Sequence, residues 1–151
     1  MSGIAFSTPQ DKFGFFIVPE LVSPEIYSLC GDKAVEMIDS RLIRVINKLR
    51  HRYGPITINN YSFGGAFKES GLRNLGTSTG APRSAHKQGK ALDLKFSRLT
   101  PAEVWADMKK TMDAEGWDDL IRRIEDPVVT KTWLHIDTIE HGSSGIRVFQ
   151  P

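Results

Sequence analysis

The sequence predicts an α+β domain: a mainly antiparallel sheet with helices packed on one face. Three observations carry that expectation. Residues 91–96 and 133–138 alternate apolar and polar side chains with the period of half-buried strands. Residues 33–53 repeat apolar side chains at helical spacing. Helical and strand segments follow one another in mixed order rather than as repeated βα units.

Taken in chain order, residues 13–18 (FGFFIV) read as a short apolar strand or a packing segment. Residues 33–53 form the clearest helix, with Val35, Ile38, Leu42, Val45, Ile46 and Leu49 on one stripe. Asp32 is placed to cap it, and Gly54-Pro55 to stop it. Lys48, Arg50 and Arg52 read as its wet end. Residues 56–60 (ITINN) read as a strand. Residues 61–85 are rich in Gly, Ser, Thr and Asn without periodicity, and a loop of that length in a compact domain is usually functional or mobile.

Residues 91–96 (ALDLKF) place Leu92, Leu94 and Phe96 on one face and Ala91, Asp93 and Lys95 on the other. Thr100-Pro101-Ala102-Glu103 carries the residues of a capping box with Pro in the first turn, opening a helix expected to run to about Ala114 and stop at Gly116. Trp105 and Trp117, in and after that helix, are expected to pack in the core. Residues 120–125 (LIRRIE) read as a strand or a short helix, with strand favoured; 133–138 (WLHIDT), with Leu134 and Ile136 inward, and 146–149 (IRVF) read as strands.

At 151 residues the chain fits one domain, 1–151. A net charge of only +2 gives no reason to expect a nucleic-acid surface or a membrane-attracted face. No stretch approaches the roughly 20 apolar residues of a membrane span. The segment Met1 to Gln10 lacks the basic start and long apolar run of a secretory signal, so synthesis in the cytoplasm is expected. The single cysteine, Cys30, has no disulfide partner and reads as a small buried apolar residue.

The informative side chains are histidines. Of four, His86 lies just before the 91–96 strand and His135 on the polar face of the 133–138 strand. Asp93 occupies the polar face of its own strand. If the two strands pair, one surface carries His86, Asp93 and His135. Two neutral imidazoles and a carboxylate are a common three-ligand set for catalytic zinc, which leaves a coordination place open. Zinc lowers the pKa of a water in that place to about 7. Gly89 suits the sharp turn between the first two ligands.

Ser84-x-His86-x-x-Gly89-x-Ala91-x-Asp93, followed by Trp133-x-His135-x-Asp137, resembles the signature of the zinc D-Ala-D-Ala carboxypeptidase family. That family includes the L-alanyl-D-glutamate endopeptidases of phage lysins, with hedgehog domains as distant relatives. The resemblance covers about residues 55–140. It implies a hedgehog-like α+β fold, Zn2+ held by His86, Asp93 and His135, and hydrolysis of D-amino-acid-containing bonds in the peptidoglycan stem peptide. It also implies an upstream arginine at the scissile carbonyl or substrate carboxylate. Arg73 is the best match and Arg83 the competitor. Ser84 would orient the His86 loop or touch substrate, and Trp133 would form an apolar wall.

One position departs from the pattern. The family places Glu or Asp three residues before the last histidine to move protons, and here that residue is Thr132. Glu125 and Asp137 are the two carboxylates able to substitute, although Asp137 is also placed to orient a ligand histidine. His141 reads as a loop residue. Small size and the absent signal suit a phage lysin or virion-borne wall-cutting protein, acting on the wall after release. The alternative implied by Thr132 is a catalytically impaired zinc-binding structural or wall-binding module of a phage particle.

Overall fold

The computed structural model describes residues 14–81 and 83–150. Phe13 and the segment Met1 to Gln10 lie outside the described residues. Residues 14–17 form no strand; they turn into a short 3-10 helix, Val18–Glu20, with Phe16 and Val18 buried. The apolar run is thus a packing segment.

Helix α1, Pro24–Cys30, has Ser23 as its cap and Pro24 in its first turn. It has one buried residue, Ile26, and so no apolar stripe to reveal it in the sequence. Cys30, expected to be buried, is exposed at its C-terminal end, beside the exposed Ser28 and Leu29. A 3-10 helix, Gly31–Met37, leads to helix α2, Ser40–Tyr53.

The helix expected over 33–53 is therefore broken at Ile38-Asp39. Ile38 is extended (φ −102°, ψ 135°), and the Asp39 amide donates to the Gly89 carbonyl at 2.8 Å. Asp39, rather than Asp32, caps α2 by accepting from the Arg41 amide at 3.0 Å. Asp32 accepts from the Tyr27 hydroxyl instead. The apolar stripe survives the break, because the 3-10 turn keeps Val35 and Ile38 in one cluster with Leu42, Val45, Ile46 and Leu49. Gly54, at φ +86°, ends α2 as expected.

Five strands follow: β1 Ile56–Thr57, β2 Ala91–Phe96, β3 Arg123–Glu125, β4 Leu134–Asp137 and β5 Arg147–Phe149. Their order in the sheet is β1-β2-β4-β3-β5, antiparallel throughout except for the parallel pair β3–β5. The fold is α+β with a mainly antiparallel sheet. Strand β2 has the expected bounds, whereas β1 and β3 are shorter than expected. Leu120 closes a one-turn helix instead of starting β3.

Helix α3, Pro101–Lys110, starts on the expected capping box. It is interrupted at Thr111, followed by the single turns α4, Met112–Glu115, and α5, Trp117–Leu120. Gly116, at φ +68°, separates these two turns. Trp117 is fully buried and donates its indole N–H to Thr111 Oγ1 at 2.9 Å, while Trp105 is partly buried against the core. The basic end of α2 is tied down as well as wet: Arg52 pairs with Asp107 and Lys48 with Glu115.

Sheet alternation divides the molecule. Leu92, Leu94, Ile124, Leu134 and Ile136 are fully buried in the cluster that holds α2 and the α3 residues Val104 and Met108. Helices therefore cover that face. The opposite face carries Asp93, His135 and Asp137, with Arg123 across from Asp137.

Candidate metal centre

The register of β2 and β4 sets Asp93 directly across from His135. His86 arrives from a one-turn 3-10 helix, Ala85–Gln88, whose cap Ser84 accepts from the His86 amide at 3.3 Å. Gly89 ends that turn at φ +70°, ψ 22°. A Cβ there would lie 1.9 Å from the Met37 carbonyl oxygen, so only glycine lets the turn close against residues 37–38.

His86 Nε2 lies 3.2 Å from Asp93 Oδ1, and His135 Nδ1 lies 2.9 Å from the same oxygen. Each ring has an acceptor on its far side. His86 Nδ1 donates to the Gly71 carbonyl at 3.0 Å, and His135 Nε2 donates to Asp137 Oδ2 at 3.0 Å. A carbonyl and a carboxylate only accept, so these partners place the ring protons on the outer nitrogens. The inner nitrogens of the neutral rings then present lone pairs to a carboxylate oxygen. Three acceptors converging on one point call for a cation, either a proton or a metal.

The three ligand atoms lie within 4.8 Å of one another, and the cluster can hold a metal ion. Tetrahedral zinc, with ligands at about 2.0–2.2 Å, separates neighbouring ligand atoms by roughly 3.3 Å, close to the 3.2 Å and 2.9 Å between Asp93 Oδ1 and the two histidine nitrogens. Without an ion, protons take its place. Burial opposes a charged His135 ring, but its bonds to Asp137 and Asp93 outweigh burial and lift its pKa to about 9. Burial likewise opposes ionised Asp93, yet the two histidines hold its carboxyl well below the usual range.

Asp137 is fully buried behind His135. It accepts from the Arg123 fork at 2.8–3.2 Å and from the Ile139 amide at 3.1 Å. Arg123 in turn lies 4.3 Å from the centre of the Phe149 ring, which meets the His135 ring edge-on at 5.6 Å. Glu125 is half-buried on β3. Continuing the β3–β4 register past Ile124–Ile136 sets it beside His135, on the same face. Burial pushes its carboxyl above the usual range, and His135 pulls the other way without cancelling this.

The 61–85 loop is well bonded in its middle. The Ser70 carbonyl accepts from the Asp93 amide at 2.7 Å, Leu72 bonds Leu21 and Ser23, and the Arg73 amide donates to the His86 carbonyl at 3.2 Å. Arg73 is thereby brought inward: it is mostly buried, its terminal nitrogen 3.5 Å from Asp93 Oδ2. Arg83 is exposed, with its carbonyl accepting from Gln88. His141 caps its own loop by bonding Gly145 and Ser143.

Beside the ligands opens a cleft of about 650 Å3, lined by Phe67, Arg73, Asp93, Lys95, Thr132 and Trp133 among others. Trp133 is 37% exposed and Phe67 46% exposed. Burial pushes the Lys95 ammonium down to about 8, against the pull of Asp93.

Four contributors escape the sequence reading. Gly71 acts through a carbonyl, which no residue type announces. Arg123 lies in a short segment whose pairing partner, Asp137, the sequence does not indicate. Phe67 sits in a loop without periodicity. Lys95 was legible as a polar-face residue two positions after Asp93, but nothing in its type marked a role.

Compared with protein-family models, curated proteins and solved structures, the chain finds no significant match.

Proposed function

We propose that this chain is a zinc peptidase that cuts D-amino-acid-containing bonds of bacterial peptidoglycan, in the manner of phage lysins. The observation that supports it most is the convergence of His86 Nε2, His135 Nδ1 and the Asp93 carboxylate, with Asp93 also lining an open cleft. Both imidazoles have their outer nitrogens bonded, as ligand histidines do. When bound, zinc supplies Lewis acidity and an acidified water.

The chain's own residues divide the remaining work. Arg73 lines the cleft beside Asp93, where a guanidinium would stabilise negative charge developing on a carbonyl oxygen. Glu125, with its raised pKa and its place beside His135, is the carboxylate suited to carry a proton. Asp137 is committed to His135 and Arg123, so it orients a ligand and moves no proton. Trp133 supplies an apolar wall, and Ser84 holds the His86 turn.

The test is incubation of the purified protein with peptidoglycan, with assay of new amine ends. Release no faster than with His135→Ala rules out hydrolysis. A second reading has one observation behind it: Thr132 lines the cleft where the resembling family carries a carboxylate. In that reading the domain keeps its zinc and binds wall peptide without turnover, as a module of a phage particle. One equivalent of zinc per chain, tight peptide binding and no amine release is the result that selects it.

A further inference from the structure

We propose that Lys95, held by Ser70 and Phe67, is the residue that selects substrates with a carboxylate one residue beyond the bond cut, on the leaving side. This assignment rests on the peptidase reading and deepens it to a substrate class. It favours a free C-terminal residue over a cross-linked or extended chain.

Lys95 shares its sheet face with Asp93, and it lines the same cleft as Trp133 and Arg73. The ammonium is built into place. It donates to Ser70 Oγ at 2.8 Å and sits 4.3 Å from the Phe67 ring centre. Ser70 is itself fixed at both backbone groups, its amide donating to Asn59 Oδ1 at 2.8 Å and its carbonyl accepting from the Asp93 amide. The cations nearby differ in what they face. Arg73 lies against Asp93 and the Glu69 carbonyl. The Glu69 carboxylate is taken by the hydroxyls of Thr77 and Thr79. Among the described residues, no carboxylate lies within ion-pair reach of Lys95, so a half-buried cation faces the cleft with donors to spare.

The spacing fits a terminal residue. Two residues along a strand span about 6.6 Å, which separates the Lys95 position from the Asp93–His135 row. An extended peptide advances about 3.5 Å per residue, and an ammonium–carboxylate hydrogen bond adds about 2.8 Å. A scissile carbonyl over the ligand row therefore puts the next residue's carboxylate within reach of Lys95. Any longer chain puts a neutral amide there.

The probes are an N-acetylated tripeptide ending in D-Ala-D-Ala and its C-terminal amide. Binding is read by early tryptophan fluorescence quenching, and hydrolysis by amine release. Wild type is expected to bind the acid at least about tenfold more tightly than the amide. Lys95→Gln is expected to bind both at the amide's affinity, with zinc content and thermal midpoint unchanged. Lys95→Arg keeps most of the preference. The proposal is overturned if Lys95→Gln retains the preference, if wild type shows none, or if neither peptide binds. Selective binding of the acid through Lys95 without amine release sustains this assignment and refutes turnover, so the two ideas fail separately.

Discussion

Replacing Asp137 with Asn tests whether the carboxylate behind His135 governs the metal site. Its Oδ1 accepts from Arg123 Nε and the Ile139 amide; its Oδ2 accepts from the Arg123 terminal nitrogen and His135 Nε2. An asparagine keeps only one of these oxygens. If the amide nitrogen takes the Oδ1 place, it meets two donors that cannot reverse. If it takes the Oδ2 place, it meets one such donor and a histidine nitrogen that can become an acceptor. The second arrangement is cheaper, and it moves the His135 proton onto Nδ1, the nitrogen that faces Asp93. A protonated Nδ1 is no ligand. The expected loss of zinc affinity is about 10- to 100-fold, or about 1.4–2.7 kcal/mol. Competition with a chromophoric chelator at neutral pH measures it, and urea unfolding of both proteins shows that the variant is folded. Affinity within threefold of wild type would refute the tautomer reasoning.

Glu125→Gln should lower amine release by about 10²- to 10⁴-fold while zinc content stays the same; equal turnover removes Glu125 from proton transfer. Asp39 is held at a pKa of about 2 by its bonds to Arg41 and Thr138, against 3.8 ordinarily, with burial opposing. Its folded pKa is depressed, so on the order of 1 kcal/mol of stability, after solvent screening, is present above pH 3.8 and fades as pH falls toward 2, and urea titrations should show that loss blunted in Asp39→Asn. Gly89→Ala forces a Cβ onto the Met37 carbonyl at positive φ and should cost on the order of 3 kcal/mol in urea unfolding; a loss below about 1 kcal/mol contradicts the close approach.

What the sequence disclosed depended on whether an element answers to its own residues. ALDLKF gave the bounds of β2 because strict alternation has one solution when one face is buried. Thr100 to Glu103 opened α3 because a capping box is a local device. The break before α2 was hidden, since Val35 and Ile38 remain in register with the helical stripe while the backbone leaves helical geometry to meet Gly89. Cys30 misled for a related reason: burial tendency is an average, and the position ends a helix with a single inward residue. At the site, ligand residue types and their shared face were readable. The carbonyl of Gly71 and the placement of Arg123 behind Asp137 were not, because they depend on pairings between distant segments.

The three ligands are not held by equal means, and the difference follows from where each comes from. Asp93 and His135 ride on the pairing that buries Leu92 and Leu94 against Ile136 and Leu134. A one-residue slip of either strand would turn its two apolar side chains outward and its ligand inward, so the core itself enforces the alignment of the two ligands. His86 has no such guarantee. It comes from a single 3-10 turn, and it is held by a bond to each end of that turn, a ring bond to Gly71 and a glycine that lets the turn press on residues 37–38. Gly71 is itself wedged against Leu21, where a Cβ would lie 2.1 Å from the carbonyl oxygen. The loop ligand thus leans on the N-terminal segment that carries α1, far from the motif in sequence. Changes in that segment reach the metal through Gly71 and His86, whereas changes in the sheet core reach it only by unfolding the pair of strands.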